Sequence, residues 1–356
     1  MLCQPFSIGK ASKMKKATSA AFAVVIVVLA GSVASGDLPD AGVLSDFAVF
    51  GYGDVQLGDG ANIQRGPVGG NSYITVGSGL KAPQGVFGAG DFSENGGAEL
   101  GRIVINGSVT LSWLGTLGIP GITGEKSEVS GDVDAGAITL GAGSYIYGTL
   151  TTSGSIFPDP SSGIPIADLI NAPATPASFT ALAMPAPMPL PVGSTDVTAS
   201  GVLAPGEFGD VDLPLDSTLG FLPGDYYFNS IAADDGLALV VGDEVNIFIA
   251  GSASLGSDVT VTGGGVLNAF SNGNWAMGDA GDWTGTIAAP GGNIAVGNDF
   301  TINGGLYGND VTIGSGLSVT DNAPIPTPPI PAPSALLLGA IGLGLVARKR
   351  ANPLQT

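Results

Sequence analysis

One short step recurs along this chain at nearly constant phase, and it restricts the fold more than any other feature. The step is an aliphatic residue, a glycine and then a small or acidic residue. It stands at Leu57-Gly58-Asp59, Val76-Gly77-Ser78, Leu140-Gly141-Ala142, Leu255-Gly256-Ser257, Val296-Gly297-Asn298 and Ile313-Gly314-Ser315. The first two copies lie 19 residues apart, the last two 17, and Leu255 and Val296 are separated by 41, close to two such intervals. Between copies run short segments that alternate apolar and polar, such as Arg102-Ile103-Val104-Ile105-Asn106 and Val245-Asn246-Ile247-Phe248-Ile249. Alternation at period two, closed by glycine-rich pairs, marks short strands and tight turns. A parallel β-solenoid repeats at this length, because each coil needs two or three short strands and stacking brings equivalent residues into ladders. An antiparallel sandwich also needs short strands and glycine turns, but nothing in it places one step at a recurring phase. The expected fold is therefore all-β, a parallel β-solenoid (β-helix). A second repeat, Pro205-Gly206-Glu207-Phe208 and Pro223-Gly224-Asp225-Tyr226, is offset by 18.

Composition agrees with bends rather than with disorder. Glycine supplies 59 of the 356 residues without a collagen-like period, so the excess is available for turns. At 44% hydrophobic and 12% charged, the chain is too apolar to remain unfolded. Two segments depart from the strand texture. Residues 38–50 place Val43, Leu44, Phe47 and Phe50 at spacings of three and four, which predicts a short helix or N-terminal cap. Residues 158–191 hold nine prolines, with Pro185, Pro187, Pro189 and Pro191 alternating, which predicts an extended and unpaired segment. That segment is either a linker or an excursion that leaves the solenoid and packs along its side.

Both ends read as addresses. Basic residues 10–16 precede an apolar run at 17–30, and Ser32 and Ala34 stand where a signal peptidase accepts small residues, so cleavage is expected after Ala34 or Ser35. That run falls short of the roughly 20 residues needed to span a bilayer. Near the other end, Pro331-Ala332-Pro333 is followed by an apolar segment at 335–347 and by Arg348-Lys349-Arg350. About 20 Å of helix is short for a permanent span, and the basic residues behind it would hold that end on the cytoplasmic side. The two ends carry seven of the 11 basic residues, leaving four bases against 30 acids between Asp37 and Asp321. A phosphate backbone would be repelled, so nucleic acid is not an expected partner.

The C-terminal stretch resembles the PEP-CTERM sorting signal of bacterial exported proteins, with alanine where the proline motif usually carries glutamate. The resemblance implies processing by an exosortase-type enzyme, with Pro331, Ala332, Pro333, Arg348, Lys349 and Arg350 as the sorting signal. The same region is sometimes labelled an ice-binding protein C-terminal domain, a label that implies no activity. More loosely, residues 44–58 and the Pro-Gly-Asp-Tyr-Tyr-Phe segment at 223–228 look like exported β-solenoid domains of the polymer-forming or surface-adhesin kind. The expected organisation is a signal peptide at 1–35 forming the N-terminal signal helix, a first solenoid half at 36–157, a proline-rich excursion or linker at 158–200, a second half at 201–322, and the sorting signal with its C-terminal apolar helix at 323–356.

The residues offer little chemistry. There is no histidine, and the one cysteine, Cys3, lies ahead of the signal, so disulfide, thiol and histidine-based zinc chemistry are not expected. Scattered bases in an acidic field argue against a lyase, and nothing singles out Asp234-Asp235 or Asp279 and Asp282 as a glycosidase pair. No cofactor and no enzyme are expected. Asp279, Asp282 and the Gly263-Gly264-Gly265 turn have the oxygen-rich texture that a structural Ca²⁺ would need, although no calcium-loop motif is present. Tyr226, Tyr227, Trp275 and Trp283 suit core or cap packing better than sugar stacking. Thr149-x-Thr151 and Thr260-x-Thr262 occur, without an array of threonines of the sort an ice-binding face needs. The expected function is that of an exported structural or adhesive protein at the cell surface or in an extracellular matrix. Its partners would be signal peptidase, the sorting enzyme, and exopolysaccharide or envelope components. The alternative is a carbohydrate-binding or carbohydrate-active β-helix.

Overall fold

The computed structural model describes residues 44–112, 127–141, 144–158, 177–187, 189–191 and 193–321. The expected cleavage residues Ala34 and Ser35, the sorting signal, and both terminal apolar segments lie outside them. Among the described residues no helix is long and apolar enough to cross a membrane.

The chain forms a parallel β-solenoid with three strand ladders, here called A, B and C. Ladder C is a 12-stranded parallel sheet. Ladders A and B are joined into one 22-stranded sheet because Ile103–Leu111 and Val133–Leu140 are long enough to serve both. A coil runs A, B, C, as in Val49–Gly51, Val55–Leu57 and Asn62–Ile63, and coils stack about 4.8 Å apart. Inward residues are aliphatic and buried, Val49 and Val68 on ladder A, Leu57 and Val76 on B, Ile63 and Leu100 on C. Each such burial contributes about 1.5–3 kcal/mol against exposure.

The recurring step finds its reason at the corner after ladder B. Leu57, Val76, Leu140, Leu255, Val296 and Ile313 all end B strands. A Cβ on Gly58 would stand 2.5 Å from the backbone carbon of Gly314, so the neighbouring coil leaves room for hydrogen alone. In three copies the third residue caps the next coil: Asp59 accepts the Ser78 amide at 2.7 Å, the Ser257 hydroxyl that of Asp279 at 3.2 Å, and Asn298 that of Ser315 at 2.9 Å. The Pro-Gly repeat has a different outcome. Glu207 pairs with Tyr227, so the coils register at 20 residues, and the 18-residue offset of Pro205 and Pro223 is not the coil period.

The coils do not stack in sequence order. Leu306–Gly308 pairs with Val49–Gly51, Val311–Ile313 with Val55–Leu57, and Ser318–Asp321 with Asn62–Ile63. The last coil of the C-terminal half therefore abuts the first coil of the N-terminal half at a central seam. One half winds outward from this seam to Ile156–Pro158, and the other begins at the opposite end with Gly201–Leu203 and winds inward. The expected terminal cap is corrected accordingly. Leu44–Asp46 is a single 3-10 turn that leads into a strand at the seam, in the interior of the stack.

Such an order requires the chain to return along the stack between its halves, and the described part of the proline-rich segment, residues 177–187 and 189–191, runs over ladder A. Asn106 holds the backbone of Phe179 through both amide atoms, at 2.7 and 2.8 Å. Asn71 holds Leu182 in the same way, at 2.7 and 2.9 Å. Further on, the Gly193 amide reaches the carbonyl of Phe208, at the far end. The route from Asp134 to Phe208 crosses about ten coil steps, roughly 48 Å. The 16 or so residues from Ala177 to Gly193 cover about 50 Å in a polyproline-like conformation, so the strap is stretched nearly straight.

Candidate functional site

The solenoid offers three outer faces, and each has a different chemistry. Face A is apolar and covered. Its outward row runs from Val104 through Phe87, Gly69, Phe50 and Tyr307 to Ala288, Phe270 and Phe248. Phe179 of the strap meets Phe47 edge-on at 6.0 Å and Phe50 at 6.4 Å. Gly69 is the small member of the row because the Phe47 ring folds across it. Burial under this layer pushes Tyr52 up to about 12 and raises Tyr307 further. Face A is thus a second core and not a site.

Face B is exposed and regular. One outward residue per coil forms a row, bounded by Phe157 and Asp212, in which small or hydroxyl side chains predominate: Thr139, Thr110, Ser93 and Thr75, then Gln56 and Thr312 on either side of the seam. It continues through Ala295, Ala276, Ser254 and Ala232. Face C differs between halves. In the C-terminal half Thr260 registers with Ala238 and Asp282, and Asp282 with Thr301. Thr262 lines up with Val240 in a second column. In the N-terminal half the same outward position holds Asn62, Lys81, Glu99 and Glu128.

The registers bring threonines from separate coils onto face B, but Ser93 and Gln56 interrupt them and alanines follow Thr312, so no unbroken threonine array forms among the described residues. Each coil contributes one or two residues, so the row is assembled by register from positions about 17–30 apart and leaves no contiguous motif. Thr149 and Thr151 do not join it: Thr151 faces outward on ladder A beside Asp134.

The aromatic residues singled out in the sequence are structural. Tyr226 is buried and its hydroxyl donates towards the carbonyls of Leu222 and Leu203, at 2.7 and 2.9 Å. Trp275 and Trp283 are buried against each other, edge-on at 5.6 Å, and Tyr227 stacks on Phe248 at 5.3 Å.

Many acids have a structural task as well. Asp279 accepts the Asn298 amide at 2.7 Å, Asp54 that of Tyr73 at 3.1 Å, and Asp91 that of Ser108 at 2.7 Å. Hydrogen bonds from Ser230 and Asn229 hold Asp210 below its usual pKa. Asp282 is placed on the flat of face C, away from the Asp279 corner. Among the described residues no group of three or more His, Cys, Asp or Glu side chains gathers to hold a metal.

One buried carboxyl had no sequence signal. Glu94 occupies an inward position in register with Val76 and Leu111. It accepts hydrogen bonds from the Ser127 hydroxyl at 2.6 Å, the Ser112 amide at 2.7 Å and the Gly96 amide. Burial nevertheless raises its pKa, outweighing all three. These bonds join the two strands on either side of residues 113–126, so Glu94 is a structural pin.

No family model and no curated protein matches this chain. Among solved structures, an ice binding protein from an Antarctic Flavobacteriaceae bacterium aligns with a TM-score of 0.24 at 14% identity, over 78% of this chain and 98% of that one.

Proposed function

We propose that this is an exported, surface-attached structural or adhesive protein that holds a flat, repetitive partner along its solenoid. The observation that carries this reading is the continuous outer row of face B. Coils repeat every 4.8 Å or so, and the row is therefore a comb with evenly spaced teeth. A comb complements a partner that is itself periodic, such as the exopolysaccharide of a matrix or an envelope polymer. A discrete metabolite is held instead by a concave pocket with convergent polar groups. Export is supported by the basic and apolar stretches before Ala34 and Ser35, and sorting by Pro331, Ala332 and Pro333 ahead of the apolar run and Arg348-Lys349-Arg350. The acidic excess keeps such a protein soluble outside the cell. Catalysis has no part in the proposal, because corner acids such as Asp54, Asp91, Asp235 and Asp279 are engaged with backbone amides.

The test is retention of the purified protein on washed cell envelopes and on insoluble bacterial exopolysaccharide. Saturable retention is expected, and its absence on both removes the reading. Release of sugars would move the protein to the carbohydrate-active class.

A second reading, ice binding, is favoured by one observation. Thr260 and Thr262 project from the same strand and stand in two outward columns with Thr301, Asp282 and Val240. Hydroxyls in register on a sheet are what an ice face requires, and these columns supply them at Thr260, Thr262 and Thr301, interrupted by Ala238, Val240 and Asp282. Growth of ice crystals in a frozen sucrose solution distinguishes this reading: arrested growth supports it, and growth equal to an albumin control removes it.

A further inference from the structure

We propose that a trough on face C of the N-terminal half binds a single strand of neutral polysaccharide. The proposal rests on the adhesive reading and gives it a particular site and ligand class.

The trough follows from strand length. In the C-terminal half, every C strand after Gly201–Leu203 has four residues and two outward positions, as at Thr260 and Thr262, and only Gly220 lacks a side chain there. In the N-terminal half the C strands are only two residues long: Lys81–Ala82, Glu99–Leu100 and Glu128–Val129. Their single outward row carries long side chains. The next position along the chain belongs to the turn and is held by Pro83 in one coil and Ser130 in another. A furrow is left beside the row, with Pro83, Leu100 and Ser130 along its floor, Lys81 and Glu128 on its wall, and Tyr147 at its end. It crosses about four coil steps from Asn62 to Tyr147, roughly 19 Å along the solenoid axis, and opens to solvent along its length.

Its chemistry selects the ligand. Lys81 pairs with Glu99 at 3.1 Å, so its charge is already answered, and Glu128 leaves the wall net negative. A polyanion, whether uronate-rich or sulfated, would meet repulsion. A neutral hydroxyl-rich chain would find an ammonium donor, carboxylate acceptors, and the amides of Asn62 and Gln64, which offer both. Tyr147 is 67% exposed although a large ring, and its negatively polarised face suits the C–H face of a sugar ring. The furrow is open rather than closed at a rim, which admits the middle of a long chain and does not require a chain end.

Affinity electrophoresis of the purified protein tests the proposal, in gels containing a soluble neutral β-glucan, a mannan or dextran, with alginate as the polyanion. Retardation by at least one neutral polymer and none by alginate is expected. Tyr147→Ala should weaken the apparent affinity about tenfold, Tyr147→Phe should restore it, and neither should shift the melting temperature, since the side chain is exposed. No retardation by any neutral polymer, equal retardation by alginate, or unchanged affinity in Tyr147→Ala overturns the trough. If envelope retention survives in any of those cases, the adhesive reading stands without it. If envelope and exopolysaccharide retention fail too, both fall.

Discussion

The hydroxyl of Tyr307 donates a 2.6 Å hydrogen bond to the carbonyl of Phe47, across 260 positions of sequence. Both residues are buried at the seam, so the bond exists only once the two halves have met. Close by, the Asp54 amide donates to Asp310 at 2.9 Å. Tyr307→Phe keeps the ring and deletes the donor, leaving a buried carbonyl without its partner. The expected cost is about 1–3 kcal/mol. Tyr73→Phe, at a ring 58% exposed, should change stability by less than about 0.5 kcal/mol. Urea unfolding midpoints of the two variants measure the difference.

The strap should respond to the loss of its two asparagine clamps. Asn71→Ala and Asn106→Ala each remove a pair of hydrogen bonds to otherwise unpaired backbone, while the coils beneath keep their ladders. The expected result is local. Amide exchange at Phe179 and Leu182 should accelerate by at least tenfold, and protease nicking should appear within 177–191 before the solenoid unfolds. Uniform acceleration throughout the coils would show instead that the strap and solenoid open together.

The parts of this architecture differ in how much sequence signal they leave, for physical reasons. The coil step is legible because Gly58 and its equivalents must be small wherever the neighbouring coil's backbone passes, and Asp59, Ser257 or Asn298 caps at the same place in its coil. The strap is half legible: alternating prolines fix its extension, but its course depends on Asn71 and Asn106, which look like ordinary turn residues. The seam left no trace, since Leu306–Gly308 pairs with Val49–Gly51 by the same rules that govern every other rung. Trp275 and Trp283 read correctly as core. The rows of face B and the trough at Tyr147 were hidden because each coil supplies so little of them, and Glu94 because one inward carboxyl in an alternating strand looks like an outward one.

Glu94 gives a pH-dependent expectation. Its burial raises the folded-state pKa above the ordinary 4.5, so the folded protein binds protons more tightly than the unfolded chain. Its contribution to stability is therefore most favourable below the unfolded pKa and declines as pH rises through the folded one. Glu94→Gln cannot titrate. The stability of the native protein relative to this variant is expected to fall as pH increases from about 4 toward neutrality. Denaturation at several pH values measures that difference, and a difference that rises with pH would contradict the burial argument.

Asp279 and Asp282 separate the structural from the merely solvating acids. Asp279 accepts both the backbone and side-chain amides of Asn298, at 2.7 and 3.0 Å, and the missing Cβ of Gly297 makes room for its carboxylate. Its environment is that of a helix N-cap transferred to a solenoid corner, where one side chain satisfies the backbone amide of the next coil. Asp279→Ala is expected to cost about 1 kcal/mol. Asp279→Asn retains the acceptor oxygen and should recover most of that loss. Asp282→Ala, on the flat of face C, should be neutral within about 0.5 kcal/mol. Unfolding midpoints at constant slope decide among these. If Asp279→Asn is as damaging as Asp279→Ala, the negative charge itself matters at the corner. If all three are neutral, the corner ladder contributes geometry without measurable stability, and the acid at the end of the recurring step is there for solubility alone.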